Sequence, residues 1–281
     1  MPDRRHAPSL PARLTLALVL AWACLVWSPG PAQAGEPAWR ELRPGLDLGF
    51  IMVEASVRAG SPRLAVLRVD PERFRFRILA APEGQDGYSA AEWRRRSRAL
   101  AVFNAGQFTV ERAYLGLLVQ DGKTRGNLVS HLEALFLAEP DDPLLPRARV
   151  VDLHYTAFET KGSPYRQAAQ SLMFLDRFGQ IRVRRSQKVA HRTLVAEDGQ
   201  GRIWVMVSEG KHTLHDLARV VSESNLGLRE VMCMDGGAEA QLDLQVGDFS
   251  YQQAGGPSES PDLPLPWPSA NLLAAVAIFP R

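Results

Sequence analysis

The sequence predicts an α+β fold, a single compact domain of mixed β-sheets with a few flanking helices over residues 35–281. Three observations predict it. Strand-like apolar runs are numerous, and one of them alternates strictly. Only two segments carry a capped, helix-period pattern. The strands cluster instead of alternating with helices, as a regular βαβ repeat would require. The chain has no internal repeat, coiled coil or low-complexity tail.

Residues 1–34 read as an export signal. Arg4, Arg5 and Arg13 form a basic head, Leu14 to Trp27 is apolar but short for a bilayer span, and Ala32-Gln33-Ala34 supplies a small-residue cleavage site before Gly35. The mature chain is therefore expected to be periplasmic or secreted, with no integral membrane span after cleavage. The full chain holds 33 basic and 31 acidic residues. The signal removes three arginines and one aspartate, so the mature chain keeps 30 of each. That balance argues against a nucleic-acid partner, which calls for a basic excess. Of the two cysteines only Cys233 survives cleavage, so no intramolecular disulfide is available. Its place in an apolar run predicts a buried structural thiol.

Phe50 to Val57 and Leu64 to Val69 read as strands. Arg73 to Ile78 alternates arginine with apolar residues, which predicts one buried and one cationic face. Ser89-Ala90-Ala91-Glu92 is a capping box opening a helix through about Arg98. Arg94-Arg95-Arg96 on that helix are expected on its solvated face. Ala99 to Phe103 is a strand ending at Asn104, and Leu115 to Val119 leads to an Asp121-Gly122 turn. Leu172 to Leu175 and Ile181 to Val183 flank a turn at Gly179. Arg192 to Ala196 and Ile203 to Val207 make a hairpin around Asp198-Gly199. Thr213 caps a second helix whose Leu214, Leu217, Ala218 and Val221 form one apolar stripe. His212 and His215 straddle its start and are expected to face solvent. The strand Val231 to Met234 follows, then an irregular Gly/Pro/Ser-rich loop, Gln252 to Pro268, and a last central strand, Leu272 to Phe279.

The most informative stretch is Val231-Met232-Cys233-Met234-Asp235-Gly236-Gly237, an apolar run that delivers a carboxylate onto paired glycines. A carboxylate at the end of a buried strand is costly without a partner or a task. Asn104-Ala105-Gly106 and His191-Arg192-Thr193 occupy the same kind of position beside apolar runs. An amide, a guanidinium and a carboxylate together suit a polar, anionic ligand. Singly, each also fits a turn cap, a strand-surface arginine or a loop-bonding aspartate. No zinc spacing, nucleophile elbow, P-loop or dinucleotide fingerprint is present, so neither metal nor cofactor is expected.

These residues carry a resemblance. Asn104-Ala105-Gly106-Gln107-Phe108, Leu115-Gly116-Leu117 with Asp121-Gly122, Gln170-Ser171, Arg192-Thr193, Thr213-Leu214 with Leu217-Ala218, and Asp235-Gly236-Gly237 follow in an order that resembles the phosphodiester glycosidase family. That family includes the lysosomal uncovering enzyme and many exported bacterial proteins. The resemblance runs from about residue 99 to the C-terminus. It implies catalytic roles for Asp235, Arg192 and Asn104, and substrate contacts from Gly106, Gln170, Ser171, Gly236 and Gly237. It further implies hydrolysis of the bond between a sugar's anomeric carbon and a phosphate oxygen, with a sugar-phosphate or glycan substrate.

The chain departs from the family pattern in three places. Leu172-Met173 follows Gln170-Ser171 where relatives carry Gly-Pro. Ala238-Glu239-Ala240 replaces the usual Gly-Ser, and Glu239 can add a second carboxylate beside Asp235 and contact a sugar. Trp267-Pro268-Ser269-Ala270-Asn271 stands where many relatives place an arginine before a similar Asn. Two rivals remain open at this stage. One is a non-catalytic envelope protein binding a glycan in an eroded cleft, and the other is metal-assisted hydrolysis at the P–O bond.

Overall fold

The computed structural model describes residues 37–109, 111, 113–256 and 271–281. The expected export signal and most of the Gln252–Pro268 loop, with Trp267 to Ala270, lie outside the described residues. Within the compact unit Gln33–Arg281 the architecture is two packed β-sheets with one short helix outside each.

The larger sheet runs in the order Arg40–Arg43, Leu46–Met52, Val57–Val69, Ile203–His212, Thr193–Asp198, Leu228–Cys233, Tyr165–Leu175, Ala134–Pro140 and Ala148–Asp152. A small hairpin, Leu118–Gln120 with Lys123–Arg125, branches from Tyr165–Leu175. The second sheet has the order Phe249–Gln253, Leu242–Val246, Ala101–Asn104, Ala274–Pro280 and Phe74–Ala80. A two-stranded ribbon, Gln107–Phe108 with Tyr114–Leu115, completes the set.

Alternation along the strands builds the layers, since successive side chains point to opposite faces. Leu67, Val69, Val205 and Val207 face inward to meet Phe76, Phe103, Val276 and Ile278 of the second sheet. Their chain neighbours Leu64, Val66, Trp204 and Met206 face outward, where helix α2 (Leu214–Glu223) covers them with Leu217, Ala218 and Val221. Val102, Ala275 and Ala277 likewise lie on the outer face of the second sheet, against Ala90 and Trp93 of helix α1 (Ala90–Ser97). Both caps form as their residue types dictate. Ser89 accepts from the Glu92 N–H at 3.2 Å, and Thr213 from the Asp216 N–H at 3.1 Å.

Several expectations are corrected. Every strand pairing among the described residues is antiparallel, so the sheets are not mixed, and two short α-helices make the molecule richer in strand than the α+β reading implied. The Phe50–Val57 strand is interrupted by a 3-10 turn at Glu54–Ser56. Leu115–Val119 breaks at Gly116, whose φ of 104° leaves the strand region. The sequence reading assigned no strand to Ala134–Pro140; five consecutive buried residues there carry no periodicity to separate strand from helix. Arg94 does not lie on the solvated face, because its guanidinium pairs with Asp243 where both are largely buried. His212 does not face solvent either. It is fully buried, with Nδ1 3.0 Å from the Ser56 hydroxyl.

Candidate functional site

Two adjacent strands of the large sheet, Thr193–Asp198 and Leu228–Cys233, end together, and Tyr165–Leu175 runs alongside them. In the register Leu194 and Leu172 both lie opposite Cys233. Because the pairings are antiparallel, continuing from Cys233 to Asp235 means passing back to Arg192 on one neighbour and to Ser171 and Gln170 on the other. The second sheet contributes Asn104, the last residue of Ala101–Asn104. The chain-distant segments singled out in the sequence therefore meet at one end of the sandwich.

Asn104 is fully buried. Its Nδ2 donates to the Asp235 carbonyl at 2.9 Å, and its Oδ1 accepts from the Thr193 hydroxyl at 2.7 Å. It thus ties the two sheets together through the backbone of Asp235. The family resemblance implies that Asn104 positions the sugar or phosphate; both its amide atoms are engaged by protein. Asp235 N–H donates to the Gly106 carbonyl at 2.7 Å. Gly106 has φ of 67°, and a Cβ there would stand 2.2 Å from the Tyr114 hydroxyl oxygen, so both conformation and space demand glycine.

The Asp235 carboxylate accepts from the Gly236 N–H at 2.9 Å and the Phe108 N–H at 3.3 Å. Burial, reinforced by the like charge of Glu239, pushes its pKa up to about 7. Those two N–H groups and the Lys188 ammonium oppose the shift. Glu239 lies in the 3-10 turn Gly237–Glu239 that follows directly.

Arg192 is 4% exposed. Its Nε donates to the His212 carbonyl at 3.0 Å and its Nη2 to the Lys188 carbonyl at 2.9 Å. Its backbone N–H donates to the Ser208 hydroxyl at 2.8 Å. Among the described residues no carboxylate reaches salt-bridge distance of this guanidinium, and burial lowers its pKa while the Asp235 charge works against that. Nη1 lies on the side of Gly236, where an added Cβ would come within 3.2 Å of it and 2.7 Å from the His191 carbonyl oxygen. Gly237 N–H donates to that same carbonyl at 2.9 Å. A buried guanidinium with no carboxylate and a carboxylate held near neutrality thus share one turn.

Gln170 and Ser171 have a different part. Gln170 is fully buried, and its side-chain amide is saturated. Oε1 accepts from the Leu117 and Val129 N–H groups at 2.9 and 3.0 Å, while Nε2 donates to the Val129 and Leu132 carbonyls at 2.9 and 2.6 Å. It pins loops and has no donor or acceptor left for substrate. The buried Ser171 hydroxyl donates to the Cys233 carbonyl and accepts from Gln107 Nε2 at 3.1 Å. The polar side-chain atoms of both residues, expected at the substrate, are thus engaged by protein. Cys233 is buried, with its thiol pushed up to about 12 by burial, as a structural cysteine would be.

Gln107, Phe108 and His191 lie in segments singled out in the sequence but were given no role there, and Lys188 was not singled out. Gln107 and Phe108 close the Asn104–Phe108 motif, and their roles emerge only from the hydrogen bonds to Ser171 and Asp235. Lys188 lies in an irregular stretch with no pattern to mark it. Among the described residues no three His, Cys, Asp or Glu side chains gather as a metal-holding group.

Two packed antiparallel sheets with an Asp-Gly-Gly turn and a buried arginine at one end define a β-rich scaffold carrying a compact polar site. The phosphodiester glycosidase sequence profile matches residues 97–274, and the chain belongs to that family. The catalytic domain of zebrafish N-acetylglucosamine-1-phosphodiester alpha-N-acetylglucosaminidase, solved auto-inhibited by its pro-peptide, shares the fold. The TM-score is 0.57 at 16% identity, covering 89% of this chain and 87% of that one. A hypothetical protein from Synechocystis is similar at a TM-score of 0.54 and 13% identity, over 89% of this chain and 65% of the other. A search of curated proteins found no match.

Proposed function

We propose that this chain is an exported hydrolase, periplasmic or secreted, that cleaves the sugar–phosphate bond of a glycosyl-1-phosphodiester in an envelope or extracellular glycan. Family membership supports the reaction class. The observation that carries the reading is the pairing of Asp235, its pKa near 7, with the buried, carboxylate-free guanidinium of Arg192 across the Gly236 turn.

The chemistry follows from those groups. Arg192 Nη1 and the exposed Lys188 supply positive charge to the phosphodiester anion. The anomeric carbon–oxygen bond breaks with both electrons leaving on the phosphate, already a stable anion that needs little protonation. Ionised Asp235 takes a proton from water as its oxygen bonds to the anomeric carbon, and it offsets the positive charge developing on the sugar ring. The products are the free sugar and a phosphate monoester. Glu239 raises the basicity of Asp235 and offers a hydrogen-bond acceptor to a sugar hydroxyl. Asn104 keeps the Asp235 backbone in place without touching substrate.

The relative with the same fold acts on an N-acetylglucosamine-1-phosphodiester by its name, which makes such a diester the first substrate to try. Wild type should release reducing sugar from it. Asp235→Asn should lose that activity by at least roughly a thousand-fold while keeping its circular dichroism spectrum. A variant with near-normal turnover would remove Asp235 from the mechanism. Wild-type binding without release would favour a glycan-binding protein instead.

A further inference from the structure

Next to the chain segments that hold Arg192 lies a cleft of about 460 Å³ whose walls include Arg58, Arg185, Gln187, Thr213, His215 and Arg219. Three guanidinium groups face it against one carboxylate, Asp216, which Arg58 already pairs. Arg219 leans on Glu223, outside the cleft, and exposed Arg185 makes no ion pair among the described residues. The first turn of α2 opens on the same space, adding partial positive charge to that of the side chains.

Both walls run directly into the Arg192 anchor. Gln187 precedes Lys188, whose carbonyl accepts from Arg192 Nη2 at 2.9 Å, and Thr213 follows His212, whose carbonyl accepts from Arg192 Nε at 3.0 Å. By chain geometry the cleft begins within roughly 10 Å of the guanidinium. Nη1 of that guanidinium lies towards Gly236, and the guanidinium feels the charge of Asp235.

We infer that this cleft is a subsite for the next phosphate of a polyanionic substrate, a glycan whose repeats are joined by phosphodiesters. The inference rests on the reaction proposed above and narrows its substrate class. On this inference a single diester engages only Asp235 and Arg192. A polymer places one phosphodiester there and the neighbouring one among Arg58, Arg185 and Arg219. Exposed arginines hold such a group by charge-assisted, salt-sensitive bonds, so the cleft sets polymer preference and processing rate without taking part in bond cleavage.

The test compares kcat/KM for a single N-acetylglucosamine-1-phosphodiester and for a synthetic oligomer of N-acetylglucosamine-1-phosphate repeats, using full-length wild type and Arg185→Glu. The charge reversal sits on an exposed side chain that makes no ion pair among the described residues, so the fold is retained. The expected result is a roughly ten-fold loss on the oligomer, with the single diester changed less than about two-fold, and an oligomer advantage in wild type that shrinks as salt rises. Equal losses on both substrates, or no loss on either, would overturn the subsite. If wild type cleaves neither compound, the proposed reaction fails separately. Calorimetric binding of the oligomer then decides the cleft: a roughly ten-fold weaker Kd for Arg185→Glu supports it, and an unchanged Kd overturns it.

Discussion

Asp235 is the residue at which opposing forces meet, and its behaviour with pH follows from them. Burial and Glu239 raise its pKa to about 7, so as a base it is fully ionised only above neutrality. The kcat/KM of wild type should therefore rise with pH and level off just above 7. Removing the like charge in Glu239→Gln should move that midpoint to lower pH; a midpoint that stays put would mean the two carboxylates do not interact. The same shift has a stability consequence. A raised carboxyl pKa means the folded state binds the proton more tightly, so stability is lost as pH climbs from about 4 to about 7. Asp235→Asn should thus be more stable than wild type at pH 8, by on the order of 1 to 2 kcal/mol, as read from thermal unfolding. Gly236→Ala tests the geometry differently. Its methyl group would sit 2.7 Å from the His191 carbonyl oxygen, so turnover should fall sharply even though its φ of −111° suits any residue.

At the scale of elements, the strand ends stay in place because polar side chains buried beneath them are satisfied. Gln170 alone closes four hydrogen bonds to the loops at Leu117, Val129 and Leu132. Gln170→Leu should cost about 2 to 4 kcal/mol of unfolding free energy in urea titration, because it strands buried backbone groups. A cost below about 1 kcal/mol would show that those loops find other partners. This is also where sequence reading reached its limit. The Gln170-Ser171 motif was visible, but whether an amide points at substrate or into a loop is decided by neighbours far along the chain. The protein partners of Asn104 were hidden for the same reason. Helices α1 and α2 were legible, since Ser89, Thr213 and the Leu217–Val221 stripe act locally. The Ala134–Pro140 strand was not, because burial on both faces erases periodicity.

For the molecule as a whole, the Asp-Gly-Gly turn, the Arg192 segment and the Asn104 corner were legible as a set because each ends an apolar run. The antiparallel register that aligns them was not, since strand order depends on long-range pairing. His212 shows the cost of that gap. Its fully buried ring, its pKa lowered to about 4 by burial, lies beneath the carbonyl that holds Arg192. A depressed histidine pKa means the unfolded chain takes up the proton first, so this contribution to stability is present above about 6.5 and is lost as pH falls towards 4. His212→Gln should flatten that acid limb in thermal unfolding between pH 4 and 6.5; an unaltered limb would assign acid unfolding to other groups. The proposed export belongs to this scale too: N-terminal sequencing of protein recovered from the medium or periplasm should begin at Gly35, and a chain that keeps residues 1–34 would contradict it. The most direct measurement of the central claim is hydrolysis of a sugar-1-phosphodiester in water carrying heavy oxygen, with both products weighed by mass spectrometry. Attack at the anomeric carbon predicts the heavy atom in the released sugar and none in the phosphate monoester. Label in the phosphate would mean that the P–O bond breaks, contradicting a glycosidase built around Asp235.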